Sequence, residues 1–202
     1  MQRGIEGLAR WLVKTVYRVE QRGWEKVPSR GGAVLVSNHV SYVDAAIIGA
    51  CCPRPVRFVM DHRIFAHRVW GYVFRHLRAI PIAPAKDDPG LKERAFADVA
   101  AALAHGELVC IFPEGRLSPT GELQPFQHGI ERIVGETPVP VVPIALGGLQ
   151  GSIFSRARGL AGSSWTQHVR RRVRAMCGAP VAPGAVSCAL LEQRVQALGA
   201  GA

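Results

Sequence analysis

Short apolar runs rich in β-branched residues recur along this chain, each bounded by glycine, proline or a polar cluster. They are Ala33 to Ser37 (AVLVS), Val56 to Met60 (VRFVM), Ala79 to Ala83 (AIPIA), Glu107 to Phe112 (ELVCIF) and Val139 to Leu146 (VPVVPIAL). Runs of this length and composition read as buried strands. Between them lie stretches with helical character: Ala45 to Ala50, Asp88 to His105 and Gly129 to Gly135. Strands alternating with helices can bury their apolar faces only as an α/β layered domain. The first strand, helix and next strand form a β-α-β unit, which predicts parallel strands and a right-handed crossover. A chain of 202 residues has room for one such domain with a substantial core. The expected fold is therefore a single layered α/β domain, its mixed, mostly parallel sheet flanked by helices.

Outside that frame, Arg3 to Glu20 reads as an amphipathic helix. Ile5, Leu8, Leu12, Tyr17 and Val19 are apolar, Trp11 is an amphipathic aromatic, and Arg3, Arg10, Lys14 and Arg18 are basic. Such a helix fits either a membrane interface or the surface of the core. Segment 1–22 is set apart as a membrane-interface anchor and 23–202 as the domain proper, with Gly23 ending the helix and a short strand over Trp24 to Val27. Asp61 to Leu77 reads as one or two helices broken near Gly71. Gly147 to Ser164 is glycine-rich and irregular. Arg170 to Arg174 reads as a basic edge strand protected by its charge, and Val186 to Leu198 as a terminal helix.

A hydrophobic content of 48% with 20% charged residues describes a globular chain. No apolar run reaches the length of roughly 18 residues that a membrane span needs. Charge interrupts Met1 to Arg22 throughout, so no signal peptide is expected. The net charge of +10 admits nucleic acid, an anionic membrane or an acidic partner. Aromatic residues do not interleave with Lys and Arg as on a base-stacking surface, so no nucleic-acid partner is expected. Cys51, Cys52, Cys110, Cys177 and Cys188 lack zinc-type spacing and read as reduced, mostly buried thiols, so no metal set is expected.

The chemistry concentrates at Asn38 to Asp44, NHVSYVD, where the first strand gives way to a helix. An imidazole at such a junction can take a proton from a hydroxyl near neutral pH. It does so better when a carboxylate holds its other ring nitrogen. Asp44 can fold back onto His39 if the residues between begin a helix. Ser41-x-x-Asp44 also matches the capping-box pattern, in which both side chains serve only helix N–H groups.

Further along, Val109 to Arg116 (VCIFPEGR) is a strand running into the turn Glu114-Gly115-Arg116. Together, NH-x4-D, FPEG and the late proline-containing strand resemble the glycerolipid acyltransferase family of the lysophosphatidic-acid acyltransferase type, over about Val34 to Leu149. The likeness extends to the branch fused to transporter-like and acyl-ligase domains. That branch carries EGR followed by a glycine-containing loop, here Arg116 to Gly121, and a GSxFSR-like stretch, here Gly151 to Arg156.

The resemblance implies transfer of a fatty acyl group from acyl-CoA or acyl-ACP to the hydroxyl of 1-acylglycerol-3-phosphate, giving phosphatidic acid. Another lyso-lipid such as lysophosphatidylethanolamine is an alternative acceptor, and a non-catalytic lipid-binding module of the same fold is a further one. It implies His39 and Asp44 as the catalytic pair and Glu114, Gly115, Arg116 and Asn38 as substrate-binding residues. It implies no cofactor beyond the thioester co-substrate. The partners would be the lysophospholipid, the thioester, an acyl carrier protein as one form of donor, and the cytoplasmic face of a membrane, bound peripherally. Two departures stand out. The commoner motif is EGTR, and the place of its arginine is Leu117 here. The usual Asp-Arg after the third strand is replaced by Ala83-Pro84, with Lys86 close by.

Overall fold

The computed structural model describes residues 4, 7, 11–13, 15–149 and 171–200. In chain order these form β1 (Tyr17–Arg22), β2 (Ala33–Ser37), α1 (Asp44–Cys51), β3 (Val56–Asp61), α2 (His62–Ala66), α3 (Arg68–His76) and β4 (Ile80–Ile82). There follow α4 (Pro89–Ala104), β5 (Leu108–Ile111), α5 (Gly129–Glu136), β6 (Val141–Gly147), β7 (Arg171–Cys177) and α6 (Cys188–Ala200). The strands make one seven-stranded sheet in the order β1-β7-β6-β2-β5-β3-β4. Strands β2 to β6 all run one way, whereas β7 is antiparallel to β6 and carries β1 parallel to itself. The sheet is thus mixed and mostly parallel, with β2 and β3 parallel but separated by β5.

Period-two alternation sorts the strand residues onto two faces. Ala33 and Leu35 of β2, Leu108 and Cys110 of β5, and Val142, Ile144 and Leu146 of β6 join Ile47 and Ile48 of α1 in one core. Val34 and Val36, Val109 and Ile111, and Val141 and Ala145 join α4, α5 and α6 in the other. Central strands covered on both faces read as continuous apolar runs, and β2 and β5 are buried at every position. Each fully buried isoleucine or leucine contributes about 1.5–3 kcal/mol. The long helix α4 begins where Asp88 accepts the N–H of Leu91, with a proline in its first turn. It buries Ala95, Phe96, Val99, Ala102 and Leu103.

Several expectations are corrected. Tyr17–Arg22 is a strand rather than the end of a helix. Its apolar residues change from helical spacing to alternation at Tyr17 and Val19, and β7 offers an edge in register, setting Glu20 opposite Arg174. Before it, the described residues Trp11, Leu12, Val13, Thr15 and Val16 are helical. Arg171–Cys177 is not an edge strand, because β1 covers its open side. Trp24 to Lys26 is a single 3₁₀ turn, and the buried indole donates to Ala175 O at 2.9 Å. The break in the aromatic and basic stretch falls at His67, and Gly71 lies inside α3. A Cβ on Gly71 would collide with the carbonyl of Phe65, so the glycine lets α3 pack tightly on α2. Most of Gly147 to Ser164, including Gly151 to Arg156, lies outside the described residues, as do Ile5, Leu8, Arg3, Arg10 and Lys14.

Candidate active site

The site follows from strand register. β2 and β5 are parallel neighbours with Val36 opposite Ile111, so the residues after each strand leave the same edge side by side. Asn38-His39 emerges from one, Phe112-Pro113-Glu114 from the other. Ligand sites of open α/β sheets lie outside these carboxyl ends.

Asp44 is fully buried at the first turn of α1, and His39 Nδ1 lies 2.8 Å from its Oδ2. The same oxygen accepts the backbone N–H groups of Val40 at 2.8 Å and Ser41 at 2.9 Å. Asp44 therefore grips the imidazole and ties down the Val40–Ser41 backbone that leads into α1, whereas the N-cap residue Val43 makes no side-chain cap bond, so the pair does not act as a capping box alone. Two backbone donors and the ring fix the carboxylate, and the carboxylate fixes the ring as an Nδ1–H tautomer. That leaves Nε2 as the basic nitrogen. Phe112 stacks on the imidazole with ring centroids 4.1 Å apart and planes inclined by 19°. Burial pushes the Asp44 carboxyl above its ordinary range, partly offset by the bonds to His39, Ser41 and Val40. Its Oδ1 is buried without a hydrogen-bond partner among the described residues.

Glu114 is 2% exposed, and both of its carboxylate oxygens are engaged within the fold. Oε1 accepts the N–H of His39 at 2.7 Å and Oε2 accepts that of Gln124 at 3.1 Å. The N–H of Ser118 donates to His39 O at 2.8 Å. Both backbone groups of His39 are thus tied to the Glu114 loop. Burial raises the Glu114 carboxyl above its ordinary range, against the two N–H bonds. Gly115 sits at φ 69°, and a Cβ there would run into the side-chain amide of Gln127. Gln127 itself is bound to the loop through Pro113 O at 2.8 Å and Glu114 O at 3.3 Å.

Arg116 is exposed and makes no hydrogen bond or ion pair among the described residues. Leu117 is 8% exposed, turned into the interior. In this turn it is therefore residue 116, not 117, that presents its side chain outward. The amide of Asn38 is engaged on both sides: Nδ2 donates to Leu146 O at 2.9 Å and Oδ1 accepts Leu146 N–H at 2.8 Å. It extends the β2–β6 ladder by one rung beyond Ser37 and Ile144. Of the expected residues, the fold brings His39, Asp44 and Glu114 into one bonded unit, with Gly115 and Arg116 on its rim. The roles of Phe112, Ser118, Gln127 and Leu146 in holding that unit were not read from the sequence. Each acts through a contact between distant segments that no local pattern announces.

Comparison with known proteins gives a consistent result. The sequence model of the acyltransferase family matches residues 18–147. The chain is 32% identical over 133 residues to the chloroplast 1-acyl-sn-glycerol-3-phosphate acyltransferase of Brassica napus, covering 65% of this chain and 38% of that protein. It is 29% identical over 138 residues to the 1-acyl-sn-glycerol-3-phosphate acyltransferase of Pseudomonas aeruginosa, covering 67% and 52%. The chain thus spans between about two-fifths and half of the length of these curated relatives. The crystal structure of the 1-acyl-sn-glycerophosphate acyltransferase PlsC of Thermotoga maritima superposes with a TM-score of 0.76 at 21% identity, covering 99% of this chain and 77% of that one.

Proposed function

This chain belongs to the acyltransferase family, and we propose that it transfers a fatty acyl group from a thioester to the free hydroxyl of a lysophospholipid, with 1-acylglycerol-3-phosphate as acceptor and phosphatidic acid as product. The observation that carries this reading is the buried carboxylate of Asp44 holding His39 Nδ1 at 2.8 Å, at a sheet edge shared with Glu114 and Arg116. His39 Nε2 takes the acceptor's hydroxyl proton. The oxygen attacks the thioester carbonyl, the carbon–sulfur bond breaks, and the departing thiolate takes the proton back from the imidazolium. Asp44 orients the ring and stabilises its charged form. No covalent acyl-enzyme is needed.

Arg116 is the proposed partner of the acceptor's phosphate, since a guanidinium matches phosphate oxygens two at a time. Gly115 allows close approach beside it. Asn38 and Glu114 are assigned positioning roles, because their polar atoms hold Leu146, His39 and Gln124. A second acceptor has a specific argument. With Arg116 one place before the commoner motif's arginine and Leu117 buried, the cation meets the headgroup from a shifted point. That favours a different lyso-lipid, such as lysophosphatidylethanolamine, as in the branch fused to transporter and acyl-ligase domains. The decisive experiment is an acyl-transfer assay of the purified protein on a lysolipid panel with acyl-CoA and acyl-ACP. Phosphatidic acid as main product supports the first reading, diacylated ethanolamine lipid the second, and no transfer to any lysolipid refutes both.

No helix among the described residues is long and apolar enough to cross a membrane. We propose that the protein binds a membrane surface peripherally, because Trp11, Leu12, Val16, Tyr42, Val69 and Tyr72 are all exposed; the cytoplasmic face is the side that the family resemblance implies. On α3, Val69 and Tyr72 lie among exposed Arg68 and Arg75, a composition suited to an anionic lipid interface. The Val69→Asp/Tyr72→Asp double variant should float less with anionic vesicles. Equal flotation of wild type and double variant would remove α3 from the contact.

A further inference from the structure

Away from the dyad, His128, Glu131 and Cys188 place one ligand atom each within 4.8 Å of one another. His128 sits at the N-cap position of α5 with no side-chain cap bond, Glu131 lies in the first turn, and Cys188 opens α6. His128 Nδ1 is 2.7 Å from Glu131 Oε2 and 3.9 Å from Cys188 Sγ. Glu131 Oε1 accepts the Cys188 N–H at 2.8 Å, which fixes the carboxylate from behind. A tetrahedral zinc centre with ordinary Zn–N, Zn–O and Zn–S bonds sets its ligand atoms about 3.3–3.6 Å apart. The two separations from His128 Nδ1 bracket that range, and all three atoms lie within 4.8 Å, so seating an ion takes a small opening of the His128–Glu131 contact and a small approach of Cys188 Sγ.

The ligand types point the same way. A thiolate, an imidazole and a carboxylate suit a borderline-soft divalent ion far better than calcium or magnesium, which take oxygen alone. The spacing His128-x-x-Glu131 puts both side chains on one face of a helical turn. The thiol comes from the interior, 7% exposed, and the imidazole from the surface, 87% exposed. The ion would then be reachable from solvent and keep a water as fourth ligand. Sequence spacing hides such a set, because Cys188 lies 57 positions from Glu131.

We propose that His128, Glu131 and Cys188 form a binding site for a divalent transition metal, zinc in the first instance, that clamps the start of α5 to the start of α6. The clamp adjoins the active-site loop. Phe126 N–H donates to Glu192 Oε1 of α6 at 2.6 Å, and Gln127 fills the space beneath Gly115.

The test uses the metal-stripped chain and cobalt(II) as a spectroscopic probe. Wild type should take up one cobalt per chain with a thiolate-to-metal charge-transfer band, and zinc should displace it. Cys188→Ser should abolish the band. His128→Ala, at an exposed side chain that the fold does not depend on, should weaken cobalt binding by about tenfold or more. The proposal is overturned by the absence of a band at saturating cobalt. It is equally overturned by loss of the band in Cys51→Ser while Cys188→Ser retains it, or by unchanged affinity in His128→Ala.

Discussion

Asp44→Asn separates the two duties of this carboxylate. In wild type, Oδ2 accepts three N–H groups, from His39, Val40 and Ser41. An asparagine carbonyl in the same place can accept all three. Turning charge-assisted bonds into neutral ones weakens each by about 1 kcal/mol, and burying an unpartnered NH₂ at the Oδ1 position costs about 1–3 kcal/mol. Against that, the variant no longer buries an ion, a relief of several kcal/mol. Burial pushes the wild-type carboxyl up, against the bonds and the charge of His39 and the N–H groups of Ser41 and Val40. The terms nearly cancel, and stability should change by less than about 2 kcal/mol either way.

Activity should not cancel, because the imidazolium loses its counter-charge, and kcat should fall on the order of 10²–10⁴. The pH dependence has a definite sign. The folded carboxyl titrates above its unfolded value, so its stabilising contribution is full below about pH 3.9 and is lost as pH rises through the folded value. Wild type should lose stability relative to Asp44→Asn across that window. Glu114 does not cancel entirely, because the Asp44 charge helps to hold its carboxyl up, and the part that Asp44→Asn removes adds to the difference with the same sign. Urea unfolding from pH 4 to 7.5, with acyl transfer at pH 7.5, reads both quantities. A folded variant keeping more than about a tenth of wild-type kcat would reduce Asp44 to a helix brace. Wild type gaining stability over the variant with rising pH would refute the burial argument.

Three further outcomes are expected. Asn38→Ala leaves both backbone groups of Leu146 without their partner, costing about 2–4 kcal/mol and lowering Tm by roughly 5–15 °C at unchanged lysolipid KM; a raised KM at unchanged Tm would make Asn38 a substrate contact. Arg116→Lys and Arg116→Ala should raise KM for the lysolipid and leave the donor's nearly unmoved, because lysine keeps the charge and loses the two-point fit; a change in the donor constant alone would assign Arg116 to the thioester carrier. Iodoacetamide at neutral pH should leave activity largely intact, since burial raises the Cys110 thiol and pushes Cys177 up to about 12; an acyl group trapped as a competent intermediate on Cys51, Cys52 or Cys110 would overturn direct transfer.

The layered α/β fold was legible because buried strands announce themselves as short β-branched runs, and β2, β3, β4, β5 and β6 all fell where such runs stood. β1 was missed because the helical apolar spacing before it ran on into Tyr17 and Val19. Its pairing partner, β7, lies far along the chain. The basic run at β7 suggested an edge, whereas only the tertiary partner decides whether an edge is open. At the site, His39 and Asp44 were visible because five residues at a strand-to-helix junction suffice to close that contact. Glu114 was visible as a site residue, but not in its use as an acceptor for His39 N–H, which depends on the β2–β5 register. Asn38 was visible as a site residue, but not the pairing of its amide with Leu146, which depends on the β2–β6 register.

Everything proposed for the site rests on His39 as the general base for acylation of a lysophosphatidate hydroxyl. That role is tested most directly by acyl transfer to labelled 1-acylglycerol-3-phosphate, comparing wild type with His39→Ala at matched, folded concentrations. His39 is partly exposed, its side chain at 21%, and its backbone bonds to Glu114 and Ser118 survive the substitution, so the variant should fold. Wild type should form phosphatidic acid, and the variant should lose activity on the order of 10²–10⁴. A folded His39→Ala retaining more than about a tenth of wild-type kcat would contradict that role.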